Sequence, residues 1–170
     1  ETAALPTAVL STHTGRFQGY TFRDLTDDIP GIQAHWEREG LDFSAVYTGY
    51  LASARQIALV RDMIRSRLRP GGALIVDPAM ADNGKLYSGF GADVVDAMRM
   101  LCAEADYILP NVTEAALLAG MEYREEIDRA YAEQLAAGAA ASARQTVVLT
   151  GVGFEPGKTG FLLWKDGKSS

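Results

Sequence analysis

Four polar segments stand just past four short apolar runs. Gly49-Tyr50 follows Ala45-Val46-Tyr47-Thr48, and Asp77-Pro78 follows Ala73-Leu74-Ile75-Val76, with Asp82-Asn83-Gly84-Lys85 close behind. Pro110-Asn111 and Glu114 follow Tyr107-Ile108-Leu109, and Thr150-Gly151-Val152-Gly153 follows Thr146-Val147-Val148-Leu149. Carboxylates hold Mg²⁺ directly or through its waters, and glycine-rich backbone N–H groups cradle phosphate oxygens. Gathered on one edge, these residues suit a metal-bound phosphate. Each segment also has a plainer reading. Asn111-x-x-Glu114 is a capping box, Asp77 before Pro78 is a turn residue, and Asp82-Asn83-Gly84 has turn composition. Thr150-Gly151-Val152-Gly153 matches neither G-x-G-x-x-G nor the P-loop, so a Rossmann dinucleotide site and a Walker NTPase are unsupported. His13 and His35 lack partners at zinc spacing, and Cys102 follows an apolar helix face as a packed thiol. It is the conjunction that points to chemistry.

The elements between these segments explain how they would meet. Ile57, Val60, Ile64 and Leu68 share one helical face, with Ser53 and Gln56 three apart as a capping box and Pro70-Gly71-Gly72 as the stop. Further helices are predicted over 92–104, over 113–119 with Gly120 as the stop, and over 127–144, where Gly138 is a weak point. Strands alternating with helices predict a mostly parallel sheet with helices on both faces, in an α/β single domain over 1–170. In such sheets ligands bind beyond the carboxyl ends of the strands, where the polar segments fall. Before residue 41 the pattern is looser. A strand over 6–10 precedes the polar loop Ser11-Thr12-His13-Thr14-Gly15, and a helix over 29–38 has Pro30 in its first turn and Gly40 past its end.

Composition narrows the partners. The chain has 170 residues, 48% hydrophobic and 22% charged, enough for one domain with a sizeable core. A net charge of -6 argues against nucleic acid, and no apolar run is long enough to span a bilayer. A single cysteine makes the reducing cytoplasm the default expectation. Asp166-Gly167 after 160–164 signals a type I′ turn, and its return strand is expected to be missing.

These residues resemble the pyridoxal kinases of the ribokinase-like superfamily. The resemblance is carried by Gly49-Tyr50-Leu51 with Ser53-Ala54 and Gln56, by 77–87 read as D-P-x-M-x-D-N-G-K-x-Y, and by 105–114 ending in P-N-x-x-E. Pro6 to Gly15 and Val147 to Gly151 are similar to the family's substrate-side and nucleotide-side strands. The match runs in order over nearly the whole chain. It implies transfer of the γ-phosphoryl group of ATP to the 5′-hydroxymethyl of pyridoxal, pyridoxine or pyridoxamine, with Mg²⁺, in a homodimer. By resemblance, Thr14, with Ser11 and His13, faces the pyridine substrate, and Tyr87 lies over it or over the phosphate being transferred. Asp77 and Glu114 serve Mg²⁺–ATP beside Asn111, Thr150 and Gly151 meet the nucleotide, and Asp82 and Thr150 adjoin a K⁺ or Na⁺ site. Leu109 stands where the family usually has Thr and offers that monovalent site only a carbonyl.

The resemblance also implies an opening strand ahead of Glu1 and a G-x-G-D loop beyond Ser170. That loop would carry the Asp that takes the hydroxyl proton, so no general base is assigned within the chain. Three alternatives follow. Hydroxymethylpyrimidine (phosphate) kinase belongs to the same superfamily and shares N-x-x-E, whereas the Asn-Gly-Lys-Leu-Tyr stretch and the Ser-Thr-His-Thr-Gly loop favour the pyridoxal branch. A non-catalytic nucleotide-binding domain of the same fold would also lack the loop. A nicotinamide oxidoreductase would need a glycine fingerprint that no strand carries.

Overall fold

A computed structural model describes residues 2–12, 17–155 and 157–170. His13 and Thr14, named above for the substrate, lie outside the described residues. In chain order the elements are β1 (Ala8–Leu10), β2 (Phe22–Asp24), α1 (Ile29–Arg38), β3 (Phe43–Thr48), α2 (Ala54–Arg67), β4 (Leu68–Val76), β5 (Ala81–Asp82), β6 (Lys85–Leu86), α3 (Ala92–Glu104), β7 (Tyr107–Ile108), α4 (Val112–Ala119), α5 (Arg129–Ala139), β8 (Thr146–Val152), β9 (Gly160–Lys165) and β10 (Lys168–Ser169).

The central sheet has the order β10-β9-β8-β7-β4-β3. β3, β4, β7 and β8 are mutually parallel, and β9 and β10 add an antiparallel edge. The mostly parallel sheet is the one the apolar runs imply. Its four parallel strands follow each other in one direction, so right-handed crossovers place α2 to α5 over one face. Consistent with this, α2 packs on α3, α3 on α4, and α4 on α5. Leu74, Val76, Ile108, Val147, Leu149 and Leu162 point into that layer and are buried. Residues of opposite parity, Tyr47, Tyr107 and Phe161, are exposed.

Local chemistry explains where the elements depart from their expected bounds. α2 stops at Arg67 and passes straight into β4, so Pro70-Gly71-Gly72 does not end the helix. Instead the register jumps from Phe43↔Leu68 to Ala45↔Ala73, leaving those residues in a bulge opposite Ser44. A Cβ on Gly72 would lie 2.9 Å from the Ser44 carbonyl oxygen, so only glycine fits there. The capping box at the start of α2 is half formed. Ser53 accepts from the Gln56 amide at 3.2 Å, but the Gln56 side chain accepts from Ala52 rather than from Ser53.

The first strand is shorter than 6–10 and stands outside the main sheet. β1 and β2 pair antiparallel as a separate ribbon, whose Ser11 side-chain oxygen accepts from the Thr21 amide at 2.8 Å. The helix expected over 127–144 is confined to α5, since Gln145 is buried and donates to the carbonyls of Cys102 and Ala105. The return strand expected to be missing is present as β10, paired on β9 through a turn with Asp166 at φ 51° and Gly167 at φ 74°.

Gly138 holds α4 and α5 together. A Cβ there would sit 2.8 Å from the Ala119 Cβ. Alanine gains about 1 kcal/mol of helix propensity but overpacks the seam, which costs about 1–3 kcal/mol. Gly138→Ala is therefore expected to lower the urea midpoint despite its better propensity. A midpoint at or above wild type refutes the packing argument.

Candidate functional site

The carboxyl ends of β4, β7 and β8 form one edge. Asp77 closes β4, and its amide donates to the Thr48 carbonyl at 2.9 Å, continuing the β3–β4 ladder. Asn111 follows β7 and bridges in parallel to Thr150, whose amide donates to the Pro110 carbonyl at 2.9 Å. Gly151 takes φ 73°, a value glycine adopts freely, at the β8–β9 register shift. Parallel register thus brings Asp77, Asn111, Glu114, Thr150 and Gly151 to one edge from segments up to 74 residues apart.

Glu114 occupies that edge in an unexpected way. Its side chain is buried at 2% exposure. Oε1 accepts from Met80 at 3.0 Å and from Ala81 at 3.4 Å, and Oε2 accepts from Asn111 at 2.9 Å. Asn111 completes the capping box by accepting from the Glu114 amide at 3.0 Å, and its amide donates to the Ala81 carbonyl at 2.8 Å. The capping-box reading is thus realised in full, and it extends into a tie between α4 and the segment after Asp77. The β5–β6 turn is latched to the same helix. Gly84 donates to the Thr113 hydroxyl at 2.9 Å, and Asn83 and Gly84 have φ 50° and 75°, as an Asn-Gly type I′ turn requires.

Electrostatics marks the edge as cation-poor. Burial pushes the Asp77 carboxyl up from the ordinary range, against the lowering effect of hydrogen bonds from Tyr47 and the Ala79 amide. The Tyr47 hydroxyl donates to Asp77 Oδ2 at 3.1 Å. Burial also raises Glu114, opposed by its three amide donors and reinforced by the charge of Asp77. Tyr87 is raised by burial and then by Glu114, Asp82 and Asp77, so its hydroxyl lies in the field of all three carboxylates. Among the described residues, none of these three forms an ion pair.

Oxygen-only donors and uncompensated negative charge fit a hard divalent cation. Among the described residues no group of three or more His, Cys, Asp or Glu could hold a metal alone. A cation shared with water and phosphate oxygens suits that donor set, as Mg²⁺ usually keeps several waters. Nearby, Cys102 is buried and its thiol is pushed up to about 12, which leaves it a packing residue.

A cavity of about 1770 Å³ opens between the β1–β2 ribbon and the strand-end loops. Tyr50, Asp82 and Tyr87 line it from the sheet side, and Thr12 and Tyr20 from the ribbon side. Asp77, Asn111, Glu114, Thr150 and Gly151 are not in its lining, so the edge divides into a part that borders this half-open cavity and a part that does not. Ser11 is exposed and committed to pairing the ribbon. Phe90 is a residue that sequence reasoning missed. It stacks on Tyr50 with ring centres 5.7 Å apart and meets Tyr87 edge-on at 6.0 Å. Its place three residues after Tyr87 was the available signal. Tyr47 was also missed, because period-2 alternation aims it at solvent and its hydroxyl meets Asp77 only through β3–β4 register.

Sequence comparison places residues 4–168 in register with the family described as phosphomethylpyrimidine kinase. The chain is 30% identical over 125 residues to a pyridoxal kinase of Arabidopsis thaliana, a match covering 69% of this chain and 39% of the other. It superimposes on the crystal structure of pyridoxal kinase from Lactobacillus plantarum with a TM-score of 0.86 and 35% identity, over 99% of this chain and 59% of that one. A Bacteroides thetaiotaomicron protein described as a phosphomethylpyrimidine kinase, crystallised with pyridoxal, gives 0.83 and 39% over 95% and 57%. The chain therefore spans well under two thirds of the length of each of these relatives. Among the described residues no helix is long and apolar enough to cross a membrane.

Proposed function

Because the chain belongs to the phosphomethylpyrimidine kinase family, we propose that its strand-end cleft serves phosphoryl transfer from ATP to the 5′-hydroxymethyl of a B6 vitamer. The observation that carries this reading is the division of the edge. A half-open cavity lined by Tyr50 and Tyr87 adjoins a separate stretch of backbone and carboxylate at Asp77, Asn111, Thr150 and Gly151. A flat heteroaromatic ring suits the first, and a nucleotide's phosphates suit the second.

Mg²⁺ bound with ATP supplies neutralisation of the phosphate charge, the main requirement of phosphoryl transfer. Asp77, with its carboxylate oriented by Tyr47, would hold that cation. Glu114 fixes the Met80–Ala81 amides and would add negative field at the cation, its own oxygens being engaged by amides. Thr150 and Gly151 offer hydroxyl and backbone to the nucleotide, and Asp82 with Thr150 adjoins a monovalent cation. Ser11 belongs to the substrate-side ribbon, and Tyr87 stands over the ring and the phosphate in transit. Proton removal from the hydroxymethyl group is assigned to no residue of this chain. A homodimer accompanies the reading by family resemblance, and a cytoplasmic setting by the single cysteine.

The family description itself favours a second reading, a hydroxymethylpyrimidine (phosphate) kinase. Phosphate transfer from ATP, scored across pyridoxal, pyridoxine, pyridoxamine and hydroxymethylpyrimidine alongside calorimetric binding of each, separates the two. A B6 vitamer is expected to lead. A wide preference for the pyrimidine overturns the first reading.

A further inference from the structure

Gln56 is completely buried, outside the cavity lining but bonded to Thr7, which lines it. As the third residue of α2 it would, in an ordinary capping box, turn back to the Ser53 amide. It does something else. Its Oε1 accepts from the Ala52 amide at 2.8 Å, while its Nε2 donates outward to the Thr7 carbonyl at 2.9 Å, the Thr26 hydroxyl at 2.8 Å and Asp24 Oδ1 at 3.1 Å.

These acceptors flank the ribbon at both roots. Thr7 precedes β1, Asp24 ends β2, and Thr26 lies two residues on. Thr7 adds a second tie, its hydroxyl donating to the Tyr50 carbonyl at 2.9 Å, and its own carbonyl also accepts from the Leu25 amide at 3.1 Å. Hydrogen bonds from Thr26 and Gln56 hold the Asp24 carboxyl below its usual range. Both ribbon roots therefore converge on one amide side chain, and that side chain is anchored to the loop carrying Tyr50. Thr7 and Tyr50 both line the cavity, so the seat that Gln56 makes between ribbon and loop borders one of its walls.

We infer that Gln56 is a positioning residue that seats the β1–β2 ribbon against the loop after β3, and so controls affinity for the ring substrate without touching it. The inference rests on the reading of the cavity as the site of a B6 vitamer. It predicts a split between two ligands. Loosening the seat moves the ribbon wall of the cavity, whereas Asp77 and the β8 end are held by the sheet itself. Small misplacements at a binding site cost substantial factors.

The test uses Gln56→Met, which keeps the length but removes the amide, and Thr7→Val, which removes only the tie to Tyr50. Hydrogen exchange at the Leu25 and Ser11 amides is measured together with dissociation constants for pyridoxal and for Mg·ATP. Both variants are expected to speed exchange at Leu25 and weaken pyridoxal binding about tenfold, with Mg·ATP binding within about twofold of wild type. Should Gln56→Met fail to fold, Thr26→Val, which removes one acceptor of the Gln56 amide, decides in its place. Unchanged exchange and unchanged pyridoxal affinity in a folded variant overturn the inference, and so does equal weakening of both ligands. If wild type binds no pyridoxal, the reading of the cavity fails, while the exchange measurement still decides whether Gln56 seats the ribbon.

Discussion

Asp77→Asn is expected to reduce kcat/KM for Mg·ATP about 10²–10³-fold, the usual scale for removing one preorganised electrostatic contact in phosphoryl or acyl transfer. Asparagine keeps the shape and still accepts from Tyr47 through its carbonyl oxygen, so the change isolates the charge. Pyridoxal affinity should stay within a small factor, because Asp77 is not in the cavity lining. The pH behaviour supplies a second signature. Burial raises the Asp77 carboxyl, so the ionised form needed for a cation is lost at a higher pH than an ordinary aspartate would dictate. The acid limb of Mg·ATP use accordingly lies above the ordinary range in wild type, and the part due to Asp77 disappears in the variant.

Stability runs the other way. Between the ordinary and the raised value the folded state binds more protons than the unfolded chain, so stability falls as pH rises through that window. Asp77→Asn should remove its share of that slope and leave the melting temperature unchanged or slightly higher near neutrality. A variant with wild-type dependence on Mg²⁺ would sink the assignment of Asp77 to the cation.

Glu114→Ala is expected to damage the fold itself. Its carboxylate satisfies the amides of Met80, Ala81 and Asn111 in a buried setting. Each orphaned donor costs about 1–3 kcal/mol, and with non-additivity the total is about 3–5 kcal/mol. For a chain of this size that corresponds to a fall in Tm of about 10 °C. Hydrogen exchange at those three amides should accelerate together, because one group serves all three. A Tm within a few degrees of wild type, with the amides still protected, would show that the carboxylate is not what holds the segment. Glu114→Gln retains one accepting oxygen but turns an NH₂ donor toward an amide donor, so an intermediate loss is expected. If that variant folds and needs more Mg²⁺, the difference measures the field of Glu114 at the cation.

Much of this edge was legible in the residues. Continuous apolar runs betray strands buried by register with parallel neighbours, and the polar residue after each run marks a strand end. Alternation of such runs with helical spacing identifies a parallel sheet, whose right-handed crossovers must bring the strand ends together. Asn-Gly at 83–84 and Asp-Gly at 166–167 specify their turns locally, since both need positive φ at two successive residues. α1 follows from Pro30 and Gly40 at its ends, and α2 from the periodicity of its apolar face, although the stop expected for α2 is not what ends it.

Other features depend on groups that meet only in space. The Pro70-Gly71-Gly72 bulge is invisible locally, because Pro-Gly-Gly reads as a helix stop until the pairing of β4 with β3 is known. Gln56 shows the same limit more sharply. Its spacing from Ser53 predicts a reciprocal cap, yet Oε1 accepts from the Ala52 amide instead, while acceptors around the ribbon roots engage Nε2 once the chain is folded. A related change affects the edge residues with which the sequence reading began. Their types and spacing determined that carboxylates and backbone amides would gather at strand ends. Only tertiary packing decided that Glu114, besides its local cap on Asn111, would be consumed by the Met80 and Ala81 amides, and that Asp77 would meet the Tyr47 hydroxyl. The physical reason is desolvation: a buried carboxylate must be satisfied by whatever donors surround it, and those donors are set by the fold rather than by neighbours in sequence.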